Sequence, residues 1–227
     1  MRLLAIGDIH GHLEQLEALL KQVAPTSDDQ MVFLGDYIDR GPDSKGVVDG
    51  LLRIKQAFPR TVFLQGNHER MLLDFMAEKG RLSSEWKRLR SYPTPFPAWP
   101  EDSDEYLFKI NDGRETLRQY GGLRRIPGRH IRFFQETRWY YRTARYFFAH
   151  AGLNLADPTG DEQGPFYLLW SRIPSWRYSR GWKTVVHGHT IVAEPVLDPV
   201  EINLDTGPYL GGKLTCCNVL TKEIWQA

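Results

Sequence analysis

One pattern, repeated three times before residue 77, leaves few folds open to this chain. A short apolar run stops at a glycine-flanked polar cluster, and apolar residues at helical spacing follow. Arg2 to Ile6 leads into Gly7-Asp8-Ile9-His10-Gly11, then Leu13, Leu16, Leu19, Leu20 and Val23. Met31 to Leu34 leads into Gly35-Asp36-Tyr37-Ile38-Asp39-Arg40-Gly41, then Val47, Val48, Leu51, Leu52 and Ile54 up to Pro59. Thr61 to Leu64 leads into Gly66-Asn67-His68-Glu69, then Met71, Leu72, Phe75 and Met76. Each unit reads as strand, loop, helix. Three such units in succession predict an α/β fold, in which ligands bind beyond the carboxyl ends of the strands.

Further along, Arg81 to Glu105 differs in texture: Pro93, Pro95, Pro97 and Pro100 stand among Tyr92, Phe96 and Trp99, after the basic Lys87-Arg88-Leu89-Arg90. The prolines exclude a regular element and the aromatics favour packing, so an ordered lid-like insertion at 81–105 is expected. Asn111-Asp112-Gly113 opens a helical stretch ending at Gly121-Gly122. Trp139 to Arg142 and Arg145 to Ala149 read as a hairpin turning at Thr143-Ala144 and leading to His150-Ala151-Gly152. Leu168-Leu169-Trp170-Ser171-Arg172 reads as a short apolar strand ending in an arginine. Thr184 to Val186 leads to His187-Gly188-His189-Thr190, Glu201 to Leu204 to Asp205-Thr206-Gly207, and Lys213 to Leu220 is a last β segment.

At 227 residues, one domain spanning 1–227 is expected. The net charge of +1 supplies no global field for nucleic acid or an anionic membrane, so anion selectivity must be local. No run approaches the roughly 20 apolar residues of a membrane span. A soluble, cytoplasmic protein without nucleic-acid or membrane partners is expected. The two cysteines, adjacent at Cys216 and Cys217, have neither metal nor disulfide spacing and read as packing residues.

Asp8, His10, Asp36, Asn67, His150 and His189 each follow an expected strand. Carboxylate, amide and imidazole donors without thiolate suit manganese, iron or zinc. A set of this size can hold two divalent ions if one carboxylate bridges, and ions about 3.5–4 Å apart clamp both oxygens of an in-line displacement. A lone histidine at a strand end is usually a structural group; a whole set flanked by glycines is not. Arg40 and Arg172, each placed at a strand end, are candidates for holding phosphoryl oxygens. His68 is placed to protonate a departing alkoxide, with Asp39 orienting its imidazole. His130, in a Pro-Gly-Arg context, reads as a surface residue, and His12 as a helix-start residue near the site.

Gly7 to Gly11, Gly35 to Gly41 and Gly66 to Glu69 resemble the GDxHG, GDxVDRG and GNHE motifs of the phosphoprotein phosphatases, in their bacterial and phage branch, within the calcineurin-like metallophosphoesterases. His150-Ala151-Gly152, the Leu-Leu-Trp-Ser-Arg run and Gly188-His189-Thr190 are weaker matches of the same kind. The resemblance implies two mixed sheets packed face to face and flanked by helices, an α-β-β-α sandwich with metals at the strand ends. It implies one ion on Asp8, His10 and Asp36 and a second on Asp36, Asn67, His150 and His189, with Asp36 the bridge and manganese the first choice. It also implies His68 as general acid paired with Asp39, and phosphate on Arg40 and Arg172. His187 is left without a role, and Asp205 reads as structural support.

The expected activity is a serine/threonine protein phosphatase, with phosphotyrosine also in range, working by in-line attack of hydroxide held between two ions. Phosphorylated proteins or small phosphoesters are the expected substrates. The alternative is a nucleotide hydrolase with the same machinery: a symmetrical dinucleoside tetraphosphatase or a cyclic-nucleotide phosphodiesterase. A scaffold that had lost the chemistry would lack ligands, and none is missing. Specificity is expected to lie in the 81–105 insertion.

Overall fold

Strand β1 (Leu3–Ile6) runs parallel to β2 (Gln30–Phe33), which runs parallel to β3 (Val62–Phe63), in a computed structural model that describes residues 1–82, 104–154, 164–172 and 183–227. The helices between these strands are α1 (Leu13–Val23) and α2 (Ser44–Ala57), and α3 (Asn67–Glu78) follows β3. The Asp43 side chain caps α2 by accepting from the Gly46 N–H at 2.7 Å. All three expected β-loop-α units are present.

Two strands from the far end of the chain complete this first sheet. β9 (Thr215–Asn218) pairs antiparallel with β1, and β10 (Glu223–Gln226) antiparallel with β9, giving the order β10-β9-β1-β2-β3. The second sheet has the order β4-β5-β6-β8-β7. It comprises β4 (Tyr140–Arg142), β5 (Tyr146–Ala149), β6 (Thr184–His187), β7 (Val196–Leu197) and β8 (Glu201–Asn203). The β4-β5 hairpin has the expected turn, β5, β6 and β8 are mutually parallel, and β7 is antiparallel to β8.

Side-chain alternation along these strands builds the layers. Leu3, Ala5, Val32, Leu34 and Cys217 of the first sheet meet Tyr146, Phe148, Val186 and Ile202 of the second in one buried cluster. Leu4, Ile6, Met31, Phe33 and Cys216 face the other way and pack against the helices. Phe147, Ala149 and Val185 do the same on the far side of the second sheet, against Leu168. The result is the expected α-β-β-α sandwich. Cys216 and Cys217 thus lie in different layers, and burial raises both thiols, Cys217 to about 11.

Three further helical pieces follow: α4 (Asp104–Phe108) and α6 (Gly128–Glu136) pack against α3, and α5 (Arg114–Tyr120) packs against α2. A π turn at Lys109–Gly113 joins α4 to α5, with Asp112 in left-handed backbone. Two expectations fail in this half. Pro165–Trp170 is a helix, α7, rather than a strand, because Pro165 opens its first turn and Pro165, Leu168 and Leu169 form one buried face at helical spacing. His130 is not on the surface. It is fully buried in α6, with Tyr120 Oη at 2.7 Å from Nδ1 and Asp49 Oδ1 at 3.0 Å from Nε2. Residues 83–103, nearly all of the expected insertion, lie outside the described residues.

Candidate metal centre

The polar loops after β1, β2 and β3 are tied into one body by backbone bonds. The N–H groups of Ile9 and His10 donate to Asp36 O at 3.0 and 2.8 Å, and that of Gly11 to Tyr37 O at 2.9 Å. Glu69 does the same between the second and third loops. Its carboxylate accepts from the N–H of Asp36, Tyr37 and Gly66 at 2.8–2.9 Å, and from Ile38 at 3.3 Å. Burial is the main cause that raises its pKa to about 7, with Asp36 adding to it, while the Tyr37 and Gly66 bonds oppose the shift. Its motif was legible in the sequence, but this bracing role was not.

All six expected donors converge where the loops meet. Asp36 Oδ2 lies 3.4 Å from His10 Nε2, 3.4 Å from His150 Nε2 and 3.9 Å from His68 Nε2. Asn67 Oδ1 lies 2.9 Å from His150 Nε2 and 3.0 Å from His189 Nδ1. Asp8 Oδ2 accepts from the His189 N–H at 3.0 Å. All six residues are buried. Ligand atoms of His10, Asp36 and His68, and of Asp36, His150 and His189, form two groups each within 4.8 Å, with Asp36 common to both. The first group contains His68 and not Asp8, whose Oδ2 instead accepts the His189 N–H.

The donor set fits divalent cations on observations of the protein alone. His10 Nδ1 is 2.9 Å from Ile38 O and His150 Nδ1 is 3.0 Å from Leu34 O, so each ring donates there and turns the lone pair of Nε2 toward Asp36. Lone pairs and a carboxylate facing one another repel unless a cation lies among them. Asp8 Oδ1 and His189 Nε2 are buried without a hydrogen-bond partner. Electrostatics agree. Burial favours the neutral imidazole at His10, which lies well below its usual pKa, and with His150 brings His189 down to about 2. Burial would raise Asp36; positive charge on the His150, His68 and His10 rings opposes it and holds Asp36 well below the carboxylate range, the part a bound cation takes when those imidazoles are neutral. Asp8 is raised by burial and by Asp205 and Asp36, a repulsion that a bound cation would relieve.

Backbone strain concentrates here. His10, Asp36, Asp39, Arg40 and His189 all have φ between 44 and 70°. Two glycines leave room for carboxylates: a Cβ on Gly188 would sit 1.9 Å from Asp8 Oδ1, and one on Gly66 2.1 Å from Asp36 Oδ1.

Beside the donors, His68 Nδ1 is 2.7 Å from Asp39 Oδ2. Burial opposes charge on both groups; Asp36 and Asp39 nevertheless raise His68, and burial raises Asp39. Arg40 lays its guanidinium 4.1 Å from the centroid of the Tyr209 ring, with Nη1 3.3 Å from His10 Nε2 and Nε 3.9 Å from Asp112. Tyr209 also meets the His10 ring edge-on at 5.1 Å. Nothing in the sequence singles it out, because the loop after Asp205 reads as structural. Arg172 is exposed just past α7, at a helix end instead of a strand end, and its charge reaches His189. His187, also buried, holds Glu201 Oε1 at 2.8 Å behind the cluster.

The sequence pattern of the Calcineurin-like phosphoesterase family matches residues 1–214. The chain belongs to that family. As a calcineurin-like phosphoesterase it is a metal-dependent hydrolase, and the donor set above is where its divalent ions would bind. It is 28% identical to a bis(5'-nucleosyl)-tetraphosphatase PrpE [asymmetrical] of Oceanobacillus iheyensis, over 98% of this chain and 90% of that protein. A 64-residue stretch is 47% identical to a serine/threonine-protein phosphatase, named from sequence, of Caenorhabditis elegans, covering 28% of this chain and 14% of that one. Among solved structures, one provisionally described as a diadenosine tetraphosphatase superimposes with a TM-score of 0.69 at 23% identity, covering 100% of this chain and 92% of the other. A protein serine/threonine phosphatase of Saccharomyces cerevisiae gives 0.59 at 15% identity, covering 96% and 73%. The same sandwich therefore serves both kinds of neighbour. Among the described residues, no helix of this phosphoesterase is long and apolar enough to cross a membrane.

Proposed function

We propose that this phosphoesterase hydrolyses the polyphosphate bridge of dinucleoside tetraphosphates, cutting it asymmetrically. This replaces the protein phosphatase that the motifs favour as the first reading, and the symmetrical cut as the form of its alternative. The observation that carries it is extent: likeness to an asymmetrical bis(5'-nucleosyl)-tetraphosphatase runs along 98% of the chain, whereas the match to the serine/threonine-protein phosphatase of Caenorhabditis elegans spans 64 residues.

The site suits a phosphoryl substrate of either kind. Two divalent ions, manganese first among the metals the donors accept, would when bound supply an activated water and neutralise phosphoryl charge. Asp8, His10, Asp36, Asn67, His150 and His189 would hold them, with Asp36 shared. Arg40, set by the Tyr209 ring, and exposed Arg172 supply positive charge to a polyanionic bridge, and a guanidinium holds two phosphoryl oxygens at once. His68, oriented by Asp39, gives its Nε2 proton to the leaving oxygen.

Protein phosphatase activity is the second reading, favoured by the 47% identity over 64 residues. The test is a rate panel on metal-stripped, manganese-reconstituted protein. Diadenosine tetraphosphate should be cleaved to ATP and AMP, faster than phosphoserine, phosphothreonine or phosphotyrosine peptides and a 2′,3′-cyclic nucleotide. Two ADP as products would overturn the asymmetrical cut, and faster phosphopeptide turnover would restore the second reading.

A further inference from the structure

Asp39 has two carboxylate oxygens, and only one faces His68. The other, Oδ1, accepts from the Thr116 hydroxyl at 2.5 Å. Thr116 Oγ1 in turn accepts the Asp39 backbone N–H at 3.0 Å and lies 3.1 Å from Ser44 Oγ. Thr116, Asp39 and Ser44 are all fully buried. One turn along α5, Gln119 accepts the Ser44 N–H at 2.6 Å and donates to Gly41 O at 2.9 Å. Positions three apart on a helix share a face, so one side of α5 grips both ends of the loop carrying Asp39 and Arg40.

That loop needs gripping. Asp39 and Arg40 have φ of 70 and 67°, and consecutive non-glycine residues in left-handed backbone persist only where the surroundings over-determine them. None of the loop motifs contains a residue of α5, so nothing in them accounts for how the Asp39 carboxylate is kept from turning. A carboxylate free to rotate would let the bond to Nδ1–H lengthen and bend, and the imidazole would lose its fixed direction.

We infer that Thr116 is a positioning residue of the reaction: by binding Asp39 Oδ1 it fixes Oδ2 on His68 Nδ1 and so aims the proton of Nε2 at the leaving group. The inference rests on His68 being the proton donor. Its test needs a readout that a merely structural threonine would not move. Thr116→Val keeps shape and removes the hydroxyl. On p-nitrophenyl phosphate, whose leaving group needs no proton, it should keep kcat within about threefold, whereas on phenyl phosphate kcat should fall by about tenfold or more with KM unchanged. Thr116→Ser should restore both. Thr116→Ala, which leaves space for a water, serves if the valine variant does not fold. Nitrogen-15 and proton shifts of the His68 Nδ1–H should show a strong hydrogen bond to carboxylate in wild type and Thr116→Ser, and a weakened one in Thr116→Val or Thr116→Ala.

Equal losses on both esters, absence of serine rescue, or unchanged imidazole shifts would overturn the inference. His68→Asn separates the two ideas. If it loses both esters equally, the proton-donor reading fails; if it is selective and Thr116→Val is not, only the role of Thr116 fails. Should wild type turn over no phosphoester or polyphosphate, the proposed function falls and the imidazole shifts alone decide this inference.

Discussion

The two sheets contribute to the centre in different ways. The first-sheet loops are braced against one another: carbonyls of the second loop hold the first, Glu69 holds the second to the third, and α5 grips Asp39 from behind. The second sheet reaches across. His150 is anchored to the first sheet through Leu34 O, and Gly188 donates to His150 O at 2.8 Å. Among the described residues, the hydrogen-bond partners of His189 are Asp8 and Asn67, both within the cluster, and its Nε2 has none. The first sheet therefore holds a preformed half-site, and the second closes it with imidazoles whose positions depend on small clearances.

Breaking the element shared by both halves should have the largest effect. Asp36→Asn is expected to lower turnover by at least about a thousandfold and to reduce bound metal at both positions, measured by kinetics and elemental analysis. A variant that retained either metal at normal affinity would show that the halves do not share this oxygen. Next comes the clearance that lets the second sheet close. Gly188→Ala puts a Cβ 1.9 Å from Asp8 Oδ1, so metal affinity should drop roughly 10–100-fold while the fold survives, as titration calorimetry and circular dichroism would show. Smaller again is the support behind that closure. Glu201→Gln weakens the 2.8 Å contact to His187, two residues from His189, and should cost less than about tenfold in kcat/KM.

The smallest effect on activity belongs to the end of the first sheet away from the loops. There Arg2 donates to Asp29 from its backbone, Nε and Nη2, and that pairing is the main reason Asp29 lies far below its usual pKa. A depressed carboxylate adds stability that is complete above roughly pH 4 and is lost as pH falls through its folded pKa. Asp29→Asn should therefore reduce stability by about 1–2 kcal/mol at neutral pH, with the difference from wild type shrinking in acid and with no change in turnover. A denaturant series at several pH values measures it, and a constant difference would contradict the linkage.

The same contrast explains what was legible in the sequence. The first-sheet units announce themselves because the period changes from strand to helix across a glycine-flanked cluster, so element and site appear together. Helix α6 was missed because its buried face, His130, Phe133 and Phe134, begins with a polar residue that breaks the apolar stripe, and Pro127-Gly128 reads as a turn. Only Tyr120 and Asp49, distant in sequence, reveal why a histidine can sit there. Thr116 and Gln119 carried no local signal, since a threonine on a short helix is ordinary until Asp39 is placed against it. Leu168 to Trp170 is too short a run for periodicity to separate strand from helix, so the sequence alone suggests a strand before Arg172 where the chain forms a helix.

The left-handed residues of the centre bear on how such a chain would change under selection. At His10, Asp36, Asp39, Arg40 and His189, glycine would relax the backbone while deleting an imidazole, a carboxylate or a guanidinium from the centre. A lineage that kept this sandwich only as a scaffold would drift toward glycine or asparagine at those places and gain stability by doing so. A chain that still carries imidazole, carboxylate and guanidinium there is bearing a conformational cost that only chemistry rewards.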